Sequence, residues 1–365
     1  MLLLTGKAAG GAQAPSVLPP IPPSAYTIPG GAVTVTTASA LRTQLASTPA
    51  KDIILANGTY DGTGAFVGNS HRLWAQNLGG ATLTRGITFA ANGELHGIRV
   101  DISGGGVFSN EAVVYCSGNG LKVQDCWVTG RSTRYLSGIR TYGNSGFKIN
   151  RCVVRNVTYN GVLQSDDLVN ATPAVAGEFT DLYISGVYDT VGNLDGTAEA
   201  GLWVEHTCTV ARIKIRQTGW MGIATEVNVN DSTFTDLDID DLHASGVGNG
   251  VAFYIEHWTR RCTIEHFIFG AGTGEGFQSE WDSPSWNNTG AGTDNILRNG
   301  TILSTRDGGY PDSGTLRMRI ENVAFSGQQI CGIVNKGTDT QIINCTFGTP
   351  HPPGYLGDII TYQPW

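Results

Sequence analysis

From Val33 onward the chain is written in short runs of alternating apolar and polar residues, separated by Gly and small polar turn residues. FKINRCVV and TQIINCTF follow the period of two expected of strands with one face buried. The pattern returns every roughly 20 to 30 residues as a Gly, an alternating strand, a turn and a second alternating strand. The clearest copies are GIRTYGNSGFKINRCVVRNV, GLWVEHTCTVARIKIRQTGW, GIATEVNVNDSTFTDLDIDDL, GVAFYIEHWTRRCTIEHFIF and GIVNKGTDTQIINCTFGTP. No copy could bury its apolar face alone. Stacked at the strand spacing of about 4.8 Å, successive copies share a core and pair their edges. The pattern therefore predicts an all-β, single-stranded parallel β-helix, each copy one coil. A propeller would show a near-constant blade of about 40 residues, and a sandwich would place hairpin turns between its strands.

Three regions follow. Residues 1–32 hold a Pro-rich cluster (Pro15, Pro19, Pro20, Pro22, Pro23, Pro29), expected to form an extended arm used for attachment. Residues 33–350 are the β-helix with its N-terminal cap, and 351–365 are a C-terminal tail. In the cap, VTVTTASALRTQLASTPAKDIILANGTYDG reads as a strand, a short helix over Ala38 to Ala46, the apolar strand Asp52 to Leu55 and an NGTY turn. This passage resembles the opening of pectate-lyase-like β-helix proteins, in which a helix, a strand and a "dGtY" turn precede the coils. The resemblance implies a right-handed solenoid over about 33–350 and is far less specific for an activity.

Composition agrees with many short strands: 50 of 365 residues are Gly and only 15% are charged. A net charge of −8 and a pI near 5.3 argue against nucleic acid as partner. No apolar run is long enough to span a bilayer. The start MLLLTGKAAGG lacks the basic opening and apolar core of a secretory signal. The seven Cys, without a CxxC pair, read as free structural thiols.

Aligning coils on the leading Gly puts the next residue in the core (Ile139, Leu202, Ile223, Val251, Phe277, Ile333) and the second and fourth residues outside. The outward set is Arg140 and Tyr142, Trp203 and Glu205, Ala224 and Glu226, Ala252 and Tyr254, Gln278 and Glu280, Val334 and Lys336, with Glu256 two residues further in the Gly250 coil. Carboxylates at equivalent positions would lie roughly 5 Å apart on adjacent coils and 10 Å across two. These values bracket the carboxyl separations of retaining and inverting glycosidases. Glu205, Glu226 and Glu256 are accordingly the candidate catalytic groups. Arg140, Tyr142, Trp203, Tyr254, Gln278, Glu280 and Asp167 are the candidate substrate contacts, aromatic rings suiting the apolar faces of sugars. The alternatives are a solvated acidic face and a Ca²⁺ site; no other cofactor or metal is expected. His206 and His257 should point away from the glutamates. Asp166 and Asp167 resemble the paired aspartates of polygalacturonase-like hydrolases, and Arg212, Ile213 and Lys214 that family's Arg-Ile-Lys, but its Asn-Thr-Asp and Gly-His-Gly motifs are absent in the required order. Arg140 and Lys336 lie at opposite ends of the column, which favours hydrolase over lyase chemistry.

The combination of a β-helix, a Pro-rich arm and no complete enzyme motif resembles bacteriophage minor tail proteins and tail spikes. That resemblance implies a homotrimer in the virion, made in the host cytoplasm, whose arm docks to other tail proteins and whose coils bind, and in an enzymatic case hydrolyse, host cell-surface polysaccharide. The alternatives are a free, extracellular polysaccharide-degrading enzyme of the same superfamily and a structural spacer.

Overall fold

The computed structural model describes residues 26–361 apart from 107, 109–110, 132–134, 143–144, 165–175, 188–199, 227–228, 243–249, 257, 271–273, 280–291, 304–305, 313 and 349–352. Every strand pairing in it is parallel and joins one coil to the next, as in Leu202 to Ile223, Ile223 to Phe253 and Phe253 to Phe277. The result is a right-handed parallel β-helix.

Two stacks make its walls. The smaller has 12 strands, from Phe66–Gly68 to Gly357–Thr361. The larger has 18 strands and is bent. Its early coils use two short strands, such as Lys122–Gln124 and Trp127–Thr129, which both pair with the single long strand Lys148–Val157 in the next coil. The solenoid thus has three faces around one core of stacked Leu, Ile, Val and Phe, including Phe253, Phe267 and Phe269. All seven cysteines are free, and six are buried.

The N-terminal cap forms as its residues dictate. The helix spans Ala38–Leu45, its first turn closed by the Thr37 side chain accepting from the Ala40 amide, and it turns Leu41 and Leu45 into the core. Arg42 fastens it by donating to the carbonyls of Ala65 (2.8 Å) and Gly64 (2.7 Å). Of the expected arm, residues 1–25 lie outside the described residues; from Tyr26 on it lies against the solenoid. The Tyr26 hydroxyl donates to the Ala75 carbonyl at 2.5 Å, and its ring packs beside Trp74. At the other end the coils run past residue 350, because Gly357–Thr361 pairs with Cys331–Asn335 and adds a strand inside the expected tail.

The corner that bends the larger sheet is held by one residue per coil in the left-handed region: Asp125, Arg151, Asp181, Arg212, Asp236, His266, Asn299, Asn322 and Asn344. Asp and Asn reach this conformation at low cost, and the two arginines reach it because each is clamped by a neighbour. Arg151 donates from Nε and Nη2 to both oxygens of Asp125 (2.6 and 2.8 Å), and Arg212 does the same to Asp181 (2.6 and 2.7 Å). A second corner repeats the device with Asp231, Arg261, Asp294, Arg317 and Asp339. There Arg261 clamps Asp231 and Arg317 clamps Asp294. From Asp125 to Asp236 in the first column, and throughout the second, the sign of charge alternates from coil to coil.

Candidate functional site

The outer side of the smaller sheet carries three columns of side chains, set by strand register. The middle column runs Tyr115, Arg140, Leu163, Trp203, Ala224, Tyr254, Gln278 and Tyr310. One column lies just past the strand ends, where the amides of Tyr142, Glu226, Glu256, Asp312 and Lys336 each donate to a carbonyl of the preceding coil. The bond from Glu226 to Val204 makes Glu205 its neighbour on the preceding coil. Glu205, Glu226 and Glu256 therefore occupy equivalent, half-buried positions on three successive coils, spaced by about 4.8 Å.

Their surroundings are aromatic and charged. The Trp203 indole donates to Glu205 Oε1 at 3.2 Å. Arg140 reaches Glu111 Oε2 at 3.3 Å and lies over the Tyr142 ring. Tyr159, edge-on to Tyr135, has its hydroxyl pKa raised by burial first; Arg140 opposes the rise, while Glu111, Glu205 and Glu226 add to it. Arg140, Glu205 and Glu226 thus act on one side chain. At the far end Lys336 sits 4.7 Å over the Tyr310 ring.

Several expectations need correction. In the Gly250 coil Val251 pairs with Met221 and Phe253 with Ile223, so Ala252 takes the place of the leading Gly. Ala252 is part of the core, whereas Val251 belongs to a separate apolar cluster on the outer side. The alignment on Gly250 had started two residues early. Tyr254 keeps the outward register but is buried, as is Ala224: both pack with Ala200, Met221 and Val251 against Trp203 and Trp220. Tyr254 is thus covered rather than open for stacking. Gln278 is half-buried beside it. His206 is buried, as expected. Glu280, Asp167, Asp166 and His257 lie outside the described residues. Arg212 belongs to the corner column, and Lys214 pairs with Asp238 at 3.5 Å, so the Arg-Ile-Lys run is part of the scaffold. Among the described residues no group of three or more His, Cys, Asp or Glu could hold a metal, which leaves the Ca²⁺ alternative without a ligand set there.

The column at the strand starts escaped the sequence reading. It runs Ala200, Met221, Val251, Glu275, Asp307 and Cys331. After three apolar members come two carboxylates on adjacent coils, with side chains only 7% and 5% exposed. Arg306 spans them, Nη2 donating to Glu275 Oε1 at 2.7 Å and Nε to Asp307 Oδ2 at 2.9 Å. Glu275 Oε2 and Asp307 Oδ1 are buried with no hydrogen-bond partner among the described residues. Burial pushes the Glu275 pKa up to about 7; Arg306 pulls it down, and Asp307 and Asp312 push it further up. The parity rule missed this column because two consecutive amides per coil, such as Gly138 and Ile139, both bond to the next coil, which reverses the alternation ahead of the Gly. The legible signal was an acid directly before Gly, as in Glu275–Gly276 and Asp307–Gly308.

No protein-family model and no curated protein matches the sequence. Solved structures do match in shape. The catalytic domain of a GH87 α-1,3-glucanase in complex with tetrasaccharides superposes with a TM-score of 0.56 at 12% identity, covering 92% of this chain and 69% of that one. The fold is that of the pectate-lyase-like β-helices. Pectate lyase Pel9A superposes with a TM-score of 0.50 at 12% identity, over 90% of this chain and 82% of its own. At these identities the pectate-lyase-like likeness concerns the fold, and the activity has to be argued from the site.

Proposed function

We propose that this protein binds and cleaves a polysaccharide along the outer side of its smaller sheet, by glycoside hydrolysis. The observation that carries this is the recurrence of carboxylates at fixed register on successive coils of one face, bordered by Trp203, Tyr142, Tyr159 and Tyr310. Parallel stacking spaces such groups by the strand repeat, a spacing that suits a polymer and lies close to that of the carboxyl pair in retaining glycosidases. Hydrolysis is favoured over β-elimination because the face offers acids in series, while its cations are engaged: Arg140 with Glu111, and Arg306 with Glu275 and Asp307. A freely acting enzyme is preferred to a virion tail component, since the matched structures named above are a glucanase and a pectate lyase.

The test is incubation with a panel of α- and β-glucans, uronans and bacterial envelope glycans, following reducing ends and, separately, absorbance at 235 nm. Reducing ends without a new chromophore are expected. An unsaturated product would replace the hydrolase with a lyase, and failure to bind or cleave any glycan would remove the reading.

A further inference from the structure

The buried carboxylates at the strand starts invite a more specific assignment. Three features separate them from an ordinary surface ion pair. They stand on adjacent coils at one register, so the backbone holds them about one strand repeat, 4.8 Å, apart. Each gives one oxygen to Arg306 and keeps the other, Glu275 Oε2 and Asp307 Oδ1, buried without a donor among the described residues. Such an acceptor is costly to bury unless a ligand, a water or a shared proton reaches it. They also continue the column of Val251, so the pair stands at the edge of the covered apolar cluster on the same outer side. Resting on the proposed glycan-cleaving function, we infer that Glu275 and Asp307 are the reacting carboxyl pair, Glu275 as proton donor and Asp307 as nucleophile, with Arg306 as the positioning residue.

The chemistry balances without a co-reactant other than water. Asp307 attacks the anomeric carbon, the bond from that carbon to the glycosidic oxygen breaks, and the departing oxygen takes the Glu275 proton. Water then attacks the same carbon, Glu275 accepts a proton from it, and the bond to Asp307 breaks. Two displacements at one carbon retain its configuration, as a separation near 5 Å implies. The charged groups acting on Glu275 are Arg306, Asp307 and Asp312, and burial outweighs the attraction of Arg306, which keeps a proton on Glu275 into the neutral range.

The test uses the full-length protein on whichever glycan it cleaves. E275Q is expected to lose at least 100-fold on the native polysaccharide, yet with an aryl glycoside of the same sugar, whose leaving group needs no proton, to keep a fast first release of the aryl group followed by slow turnover, because the second step still lacks its base. D307N should lose both, and product configuration by proton NMR should be retained. For the wild type, the rate should fall above about pH 7 as Glu275 ionises. That profile decides the matter even if a variant fails to fold. Cleavage by E275Q and D307N at wild-type rates, inverted product or a flat alkaline limb would overturn the pair while leaving the glycan-cleaving function standing. Absence of any cleavage by the wild type would remove both.

Discussion

A single side chain shows how burial rather than sequence type decides chemistry on this face. Glu275 is as acidic by composition as Glu205, yet its place under the sheet's outer layer raises its pKa from 4.5 to about 7. In the unfolded chain the group ionises near 4.5, while in the fold it holds its proton to about 7. Below pH 4.5 it is neutral in both states and costs nothing. As pH rises to about 7 the unfolded state gains the solvation of an ionised carboxylate first, so stability falls, by up to about 3 kcal/mol, and then levels off. E275Q cannot ionise, so its stability relative to the wild type should increase between pH 4.5 and 7 and stay higher above. Thermal unfolding across that range reads the difference directly; parallel curves for the two proteins would show that Glu275 titrates normally.

Among the elements, the strand entering the smaller sheet explains why a Gly leads so many coils. A methyl group at Gly308 would lie 2.3 Å from the Gly332 carbonyl oxygen and 2.4 Å from Phe325, and backbone of the next coil cannot step aside. G308A should therefore cost about 1 to 3 kcal/mol in denaturant unfolding, whereas G104A, where nothing lies within 4 Å, should be close to neutral. Equal effects would mean that the coils adjust freely. The same feature marks how far the sequence could be read. Period and repeat gave the solenoid, its cap helix and the outward positions of Glu205, Glu226 and Trp203, because alternation after the Gly is regular. They did not give Glu275 and Asp307, because the doubled amide bonding at the Gly breaks that alternation. They also misplaced Val251 and Ala252, where the matching coil position carries Ala in place of Gly. Nor did they reveal that Tyr254 is covered, since a register says which side a residue leaves from and nothing about what lies over it.

At the scale of the whole molecule, coils interact almost entirely with their neighbours, so its stability is close to a sum of coil and interface contributions. The corner columns add a rule to that sum. Asp125, Arg151, Asp181, Arg212 and Asp236 alternate in sign, and each contact is between unlike charges. Excising residues 181–211 would remove one coil and set Arg151 against Arg212. Excising 181–235 would remove two and set Arg151 against Asp236, restoring attraction. The shorter excision should therefore gain stability on going from low ionic strength to 1 M salt, where exposed charges are screened beyond about 3 Å, and the larger excision should not. If salt affected both excisions alike, the columns would be decoration.

That alternation carries an implication for how such a rod can change length through duplication or loss of its repeats. A ladder of like residues, as in the run Asn299, Asn322 and Asn344, grows or shrinks one rung at a time without penalty. A checkerboard does not: its natural unit of gain or loss is the doublet, so relatives sharing the charged segment should differ there by even numbers of rungs and by any number in the amide segment.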